Sequence, residues 1–202
     1  MKVNAIVFDL GGVLIDWNPS YVFDQLFDDE EKKKYFFENV CTPDWNEEQD
    51  AGRSLKEATE TLVAQHPDWK EYIEAYYGRW PEMLGGPIEE TVEILRALKD
   101  KNEYKIYALT NWSGELFPIA LGMYDFLHWF DGRLVSGDEK MRKPFPEFYQ
   151  LMMDRFDLVP QQTLFIDDNL RNIKAAEAFG IHCIHFTSSQ QLKENLEEKG
   201  VL

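Results

Sequence analysis

The residues best equipped for chemistry in this chain are carboxylates, a hydroxyl and an amine. They are Asp9 in Val7-Phe8-Asp9-Leu10-Gly11-Gly12-Val13, Thr110-Asn111, Lys143 in Lys143-Pro144, and the adjacent pair Asp167-Asp168. Asp9 follows the apolar residues Ala5 to Phe8 and precedes two glycines. A carboxylate delivered by a buried strand onto a glycine turn suits a nucleophile or a metal ligand. Taken alone, the same stretch also describes an Asp that merely opens a turn. Two or three carboxylates with a backbone carbonyl make an all-oxygen site, which suits Mg²⁺ better than zinc. A hydroxyl, a backbone amide and a lysine ammonium beside it would hold phosphoryl oxygens. Metal site, anion clamp and carboxylate nucleophile are together what phosphoryl transfer through an aspartyl-phosphate requires.

These residues are far apart in sequence, so the fold must bring them together. Residues 5–8 read as a strand buried on both faces, because the apolar run is unbroken. Further strands are predicted over 106–109, ending at Thr110-Asn111, weakly over 133–135, over 164–166, ending at Asp167-Asp168-Asn169, and over 181–186. Helical patterns separate them: Val92, Leu95 and Leu98; residues 115–122; Phe148, Leu151, Met152 and Phe156; residues 173–179, stopped by Gly180; and a last helix opened by Ser188. Strands spaced by helices imply right-handed crossovers and an α/β fold with a doubly wound parallel sheet. In such a sheet the carboxyl ends of the strands share one edge, where ligands bind; Asp9, Thr110-Asn111 and Asp167-Asp168 fall at those ends, and Lys143 lies just before a helix. Between Trp17 and Gly86 the texture changes to aromatic and charged residues at helical spacing. The chain is therefore divided into an α/β core, residues 1–16 and 87–202, and an inserted all-helical domain, residues 17–86.

Composition narrows the partners. Of 202 residues, 37 are acidic and 21 basic, a net charge of −16 that repels nucleic acid and anionic membranes. A small anionic substrate then needs local help from a cation. Cys41 and Cys183 form neither a disulfide framework nor a metal-spaced cluster, which fits a reducing cytoplasm. Met1-Lys2-Val3-Asn4 runs straight into the first strand with no leader pattern, so a cytoplasmic protein, monomer or homodimer, is expected. The histidines His66, His128, His182 and His185 show no ligand spacing.

With these residues in place, the chain resembles the haloacid dehalogenase superfamily. Its four motifs appear in order: Asp9-Leu10-Gly11-Gly12-Val13, Leu109-Thr110-Asn111, Lys143-Pro144, and Asp167-Asp168 with Asn172. The resemblance covers the whole chain, since the helical insertion occupies the usual cap position. It implies that Asp9 is the nucleophile and that Mg²⁺ is held by Asp9, the Gly11 carbonyl and Asp168, with Asp167 and Asn172 supporting the metal site. It also implies that Thr110 and Lys143, with Asn111 beside them, bind the phosphoryl group, and that the cap closes over a small phosphorylated metabolite. Trp17, Asn18, Asp50 and Arg53, near the hinge or a cap loop, are further candidates for substrate contact.

One departure bears on mechanism. Most phosphatases of the superfamily carry a second Asp two residues after the nucleophile, as general acid and base; here Gly11 stands there. Dehalogenating members also lack that Asp, so a hydrolytic 2-haloacid dehalogenase using Asp9 is the alternative, and a silent metal-binding relative a third reading. Dehalogenation by carboxylate attack needs no metal, and Asp167-Asp168 would then be a needless concentration of charge; the reading taken is a Mg²⁺-dependent phosphatase, with a sugar phosphate as a candidate substrate. Without a proton donor at Gly11, esters with easily departing alcohols are favoured, unless Asp16 or a cap carboxylate serves as the acid. Phosphoacceptor receiver domains are shorter and place their acidic pair early, and the glycines do not spell G-x-G-x-x-G.

Overall fold

The computed structural model describes residues 2–202; Met1, which heads the expected lead-in to the first strand, lies outside them. Strand β1 (Ala5–Phe8) is followed by a short β2 (Ile15–Trp17). Then come α1 (Ser20–Leu26), α2 (Glu30–Asn39), α3 (Pro43–Asp50), α4 (Leu55–Gln65) and α5 (Lys70–Gly78). β3 (Leu84–Pro87) returns antiparallel to β2. The chain continues through α6 (Glu89–Lys101), β4 (Lys105–Thr110), α7 (Phe117–Met123), β5 (Gly132–Val135), α8 (Ser136–Glu139) and α9 (Pro146–Phe156). It ends with β6 (Thr163–Asp167), α10 (Leu170–Phe179), β7 (His182–His185) and α11 (Ser189–Glu198).

The strands β5-β4-β1-β6-β7 form one parallel sheet in that order, with β1 at the centre. Ile6 and Phe8 pack into the core on one face, with Ile106, Ala108, Leu164 and Ile166. Ala5 and Val7 pack into the core on the other, with Tyr107, Leu109 and Phe165. That is why β1 reads as a continuous apolar run: alternate side chains point to opposite faces, and helices cover both. Phe8 is in register with Ala108 on β4 and Ile166 on β6, so the residues that follow these positions emerge together at one edge.

The helices between β2 and β3 are held by aromatic packing. Phe23 meets Phe36 and Phe37 at centroid distances of 5.0 and 5.1 Å, and Phe27 stacks on Tyr72 at 4.3 Å. This cluster is continuous with the core on one face of the sheet. The pairing of β2 with β3 was not legible in the pattern, because three residues on one side and Gly85-Gly86 on the other carry no strand signal. The expected boundaries at 16/17 and 86/87 fall within this ribbon. α10 starts at Leu170, earlier than the apolar pattern suggests, because the Asn169 side chain caps the Arg171 amide and Leu170 is exposed. Among the described residues no helix is long and apolar enough to cross a membrane, and both cysteines are free.

Candidate active site

Asp9 stands one residue beyond β1, its amide donating to the Ile166 carbonyl at 2.8 Å, and its Oδ1 accepts from the Leu10 amide at 2.7 Å. Asp167 closes β6 and Asp168 follows it. One carboxylate oxygen from each of Asp9, Asp167 and Asp168 lies within 4.8 Å of the others. Between two of them sits the Lys143 ammonium, fully buried, 2.8 Å from Asp9 Oδ2 and 2.7 Å from Asp167 Oδ2. Asp167 also accepts from Asn172 Nδ2, at 3.1 Å to each oxygen, and from the Asn169 amide at 2.7 Å. The Asn111 amide side chain clamps the Lys143 backbone, donating to its carbonyl and accepting from its N–H, both at 2.9 Å. Asn111 therefore places the lysine, a role that sequence alone did not suggest. His185 Nε2 donates to the Asp168 carbonyl at 2.9 Å.

The two glycines after Asp9 differ in kind. Gly12 has φ +73°, and a Cβ there would run into the Asp168 carboxylate, so only glycine lets the turn lie this close. A Cβ at Gly11 would meet nothing within 4 Å. Three carboxylates against one ammonium leave the site with excess negative charge. Burial pushes the Asp9 carboxyl up to about 8, against the pull of Lys143 and with a push from Asp167. For Lys143, burial works against the ammonium, but Asp167 and Asp9 outweigh it and hold it above its ordinary value. Burial and Asp167 likewise raise the Asp168 carboxyl.

Above this floor opens a cleft of about 270 Å³. Asp9, Gly11, Asn111, Asp168 and Trp17, all singled out from the sequence, line it. Lys143 and Asp167 lie buried beneath it, joined to Asp9 by the ion pairs. Thr110 ends β4, buried, and is not among the lining residues. Asn18 and Arg53 do not line the cleft either. The Asn18 Oδ1 accepts from the Ser20 amide at 2.9 Å, and Arg53 donates to Gln49 Oε1 at 2.6 Å and the Trp45 carbonyl at 3.1 Å. Asp16 accepts from the Tyr21 hydroxyl and also lies off the cleft.

Helix α3 contributes residues that sequence reasoning passed over or ranked low. Glu47 pairs with Arg142 at 2.7 Å and with Arg171, tying α3 to the loop after α8 and to the first turn of α10. Asp50, half-buried, accepts from Asn46 Nδ2 at 3.3 Å and from the Ser113 backbone amide. Burial pushes its carboxyl up to about 7, with Glu47 adding to the rise and Arg142 opposing it. Trp80, Trp112 and Leu116 make an apolar wall, and the buried Trp112 indole N–H and Asn172 Oδ1 have no hydrogen-bond partner. Trp112-Ser113 directly continues Thr110-Asn111 and Arg171 follows Asp168 closely, so proximity to the motifs was a usable signal for them. Nothing in the sequence marks Asn46 or Glu47 among the other polar helix residues.

Comparison with known proteins bears on the family and the fold. The sesquiterpene phosphatase astK of Aspergillus oryzae is 29% identical over 185 residues, spanning 92% of this chain and 90% of that protein. In fold, the chain is similar to a HAD-like family hydrolase from Porphyromonas gingivalis, with TM-score 0.75 and 20% identity over 98% of both chains. It is also similar to a HAD family enzyme from Bacteroides thetaiotaomicron in complex with magnesium and inorganic phosphate, with TM-score 0.70 and 23% identity over 93% of this chain and 96% of the other. The model of the haloacid dehalogenase-like hydrolases matches residues 3–180, and the chain belongs to that family.

Proposed function

We propose that this protein is a Mg²⁺-dependent phosphatase that hydrolyses a small phosphorylated metabolite through an aspartyl-phosphate on Asp9. The observation that carries the reading is the buried Lys143 ammonium held between Asp9 and Asp167 beneath a cleft floored by carboxylates. The donor set suits a hard cation: Asp9, Asp168 and the Gly11 carbonyl offer only oxygen, the local charge is negative, and the buried Asn172 Oδ1 is left without a partner. Asp167, its oxygens engaged by Lys143, Asn172 and the Asn169 amide, orients the group. Bound Mg²⁺ would neutralise the carboxylates and draw charge from the phosphoryl oxygens.

The chain's own residues do the rest. Lys143 compensates charge at Asp9 and on the transferring group, and Asn111 holds that lysine in place. Asp9 attacks phosphorus, the ester oxygen departs, and water then cleaves the acyl phosphate. Thr110, with the backbone at the end of β4, would bind phosphoryl oxygens once substrate enters. The helices α1 to α5 act as the cap, with α3 forming one wall of the cleft. The relation to a phosphatase at 29% identity over most of both chains supports phosphate esters over haloacids. The absence of a side chain at Gly11 is the observation favouring dehalogenation, and the test separates the two. Phosphorylated metabolites with and without Mg²⁺ are assayed beside chloroacetate and 2-chloropropionate. Phosphate release that stops with a chelator is expected; halide release insensitive to chelator would refute the reading.

A further inference from the structure

At Gly11 no side chain can protonate the departing ester oxygen, so a phosphatase built on this site must find its proton elsewhere. Among the described residues, the carboxylates lining the cleft are Asp9, Glu47, Asp50 and Asp168. Asp9 is paired with Lys143 and is the attacking group, and Asp168 belongs to the cation-binding set. Glu47 has both carboxylate oxygens engaged, in ion pairs with Arg142 and Arg171. Asp50 makes no ion pair among the described residues, lines the cleft and sits on the helix that walls it. We propose that Asp50 is the general acid and base of this enzyme, protonating the leaving alcohol and then taking the proton of the attacking water. The assignment rests on the phosphatase reading above.

The surroundings hold Asp50 for that work. Asn46, one turn earlier on α3, donates to its Oδ2, and Asn46 Oδ1 in turn accepts from the Tyr77 hydroxyl of α5 at 2.9 Å. The Ser113 amide approaches from the loop after β4, and the Ser136 hydroxyl of α8 donates to the Asp50 carbonyl. The charged and titratable groups facing it are Glu47 on its own helix, Arg142 and Lys143 from the loop after α8, and Tyr76 and Tyr77 of α5. Burial outweighs the two cations, so the carboxyl keeps its proton up to about pH 7, where a group that must both give and take one is best poised. The Asp9 oxygen bonds to phosphorus as the P–O ester bond breaks, and the Asp50 proton goes to the ester oxygen. Ionised Asp50 then takes a proton from water as that water's oxygen bonds to phosphorus and the P–O bond to Asp9 breaks. The sum is ester plus water to alcohol plus phosphate, with Asp50 protonated again.

The test compares 4-nitrophenyl, phenyl and benzyl phosphate, with Mg²⁺, in the natural enzyme and in Asp50→Asn. For benzyl phosphate, whose alcohol cannot leave unprotonated, kcat/KM should fall on the order of a hundredfold or more. For 4-nitrophenyl phosphate it should change less than about tenfold, since that phenolate needs little protonation. The retained aryl turnover doubles as proof of folding, and Asp50→Ser serves in its place should the amide disturb the Ser113 contact. On benzyl phosphate the natural enzyme should lose kcat/KM as pH rises through neutrality, a limb the variant lacks. An equal loss on all three esters, or an unchanged pH limb, would overturn the assignment while leaving the phosphatase reading intact. No turnover of any of the three by the natural enzyme would overturn both.

Discussion

Lys143→Met is the most direct probe of the buried charge arrangement. The ammonium is fully buried and within 2.8 Å of carboxylates on two adjacent strands' ends, so methionine fills the space but leaves Asp9 and Asp167 facing each other uncompensated. Removing one partner of a buried ion pair costs about 3–5 kcal/mol. For a chain of 202 residues that corresponds to a fall in Tm of about 10 °C. The sign of the pH dependence follows from which state holds the proton. A carboxyl whose folded pKa is raised above its unfolded value binds a proton in the folded state that the unfolded chain has released, so stability drops as pH rises between the two. Burial already places Asp9 at about 8 with the lysine present, and losing the lysine drives Asp9 higher. The deficit of the variant should therefore be smaller at pH 5, where Asp9 keeps its proton, than at pH 8. Denaturant unfolding at both pH values measures it, and adding Asp167→Asn should recover most of the loss at pH 8. A deficit under about 1 kcal/mol, equal at both pH values, would refute the view that Lys143 neutralises a buried carboxylate pair.

Other outcomes follow from the same geometry. Asp9→Asn should abolish phosphate release yet melt higher relative to the natural protein at pH 8 than at pH 5, because it removes a carboxyl that burial makes costly to ionise; thermal melts at the two pH values check this. A chelator should remove turnover and Mg²⁺ should restore it, read as phosphate released. Gly12→Ala should cost about 1–3 kcal/mol, from the left-handed backbone and the collision with Asp168, whereas Gly11→Ala should cost far less, a contrast for denaturant melts. In the Asp50→Asn background, Gly11→Asp should restore benzyl phosphate turnover, since the space beside Gly11 is open; assays of that double variant decide.

Much of this was legible in the residues. Apolar runs that end in Asp9, Thr110 and Asp167 identify strands buried on both faces, and the helical spacing between them implies a parallel sheet whose carboxyl ends converge. Local composition suffices there, because burial on both faces leaves no alternation to misread. What the order of residues did not carry is whatever depends on distance between segments. The Asn111 side chain clamps the backbone of Lys143 rather than facing a ligand, since the two loops meet only in the folded sheet. Arg53 turns back to Gln49 and Trp45 of its own neighbourhood, where a nearby amide and carbonyl compete better for the guanidinium than a distant cleft. Glu47, an ordinary acid on a polar helix, becomes a tie from α3 to the loop after α8 and to the start of α10. Asp50 and Asp16 look alike as acidic residues near the hinge. Only the packing of α3 over the strand ends desolvates Asp50 at the cleft while leaving Asp16 on the ribbon, bound to Tyr21. A carboxylate's proton affinity is set by what surrounds it in space, and that surrounding exists only once the chain has folded.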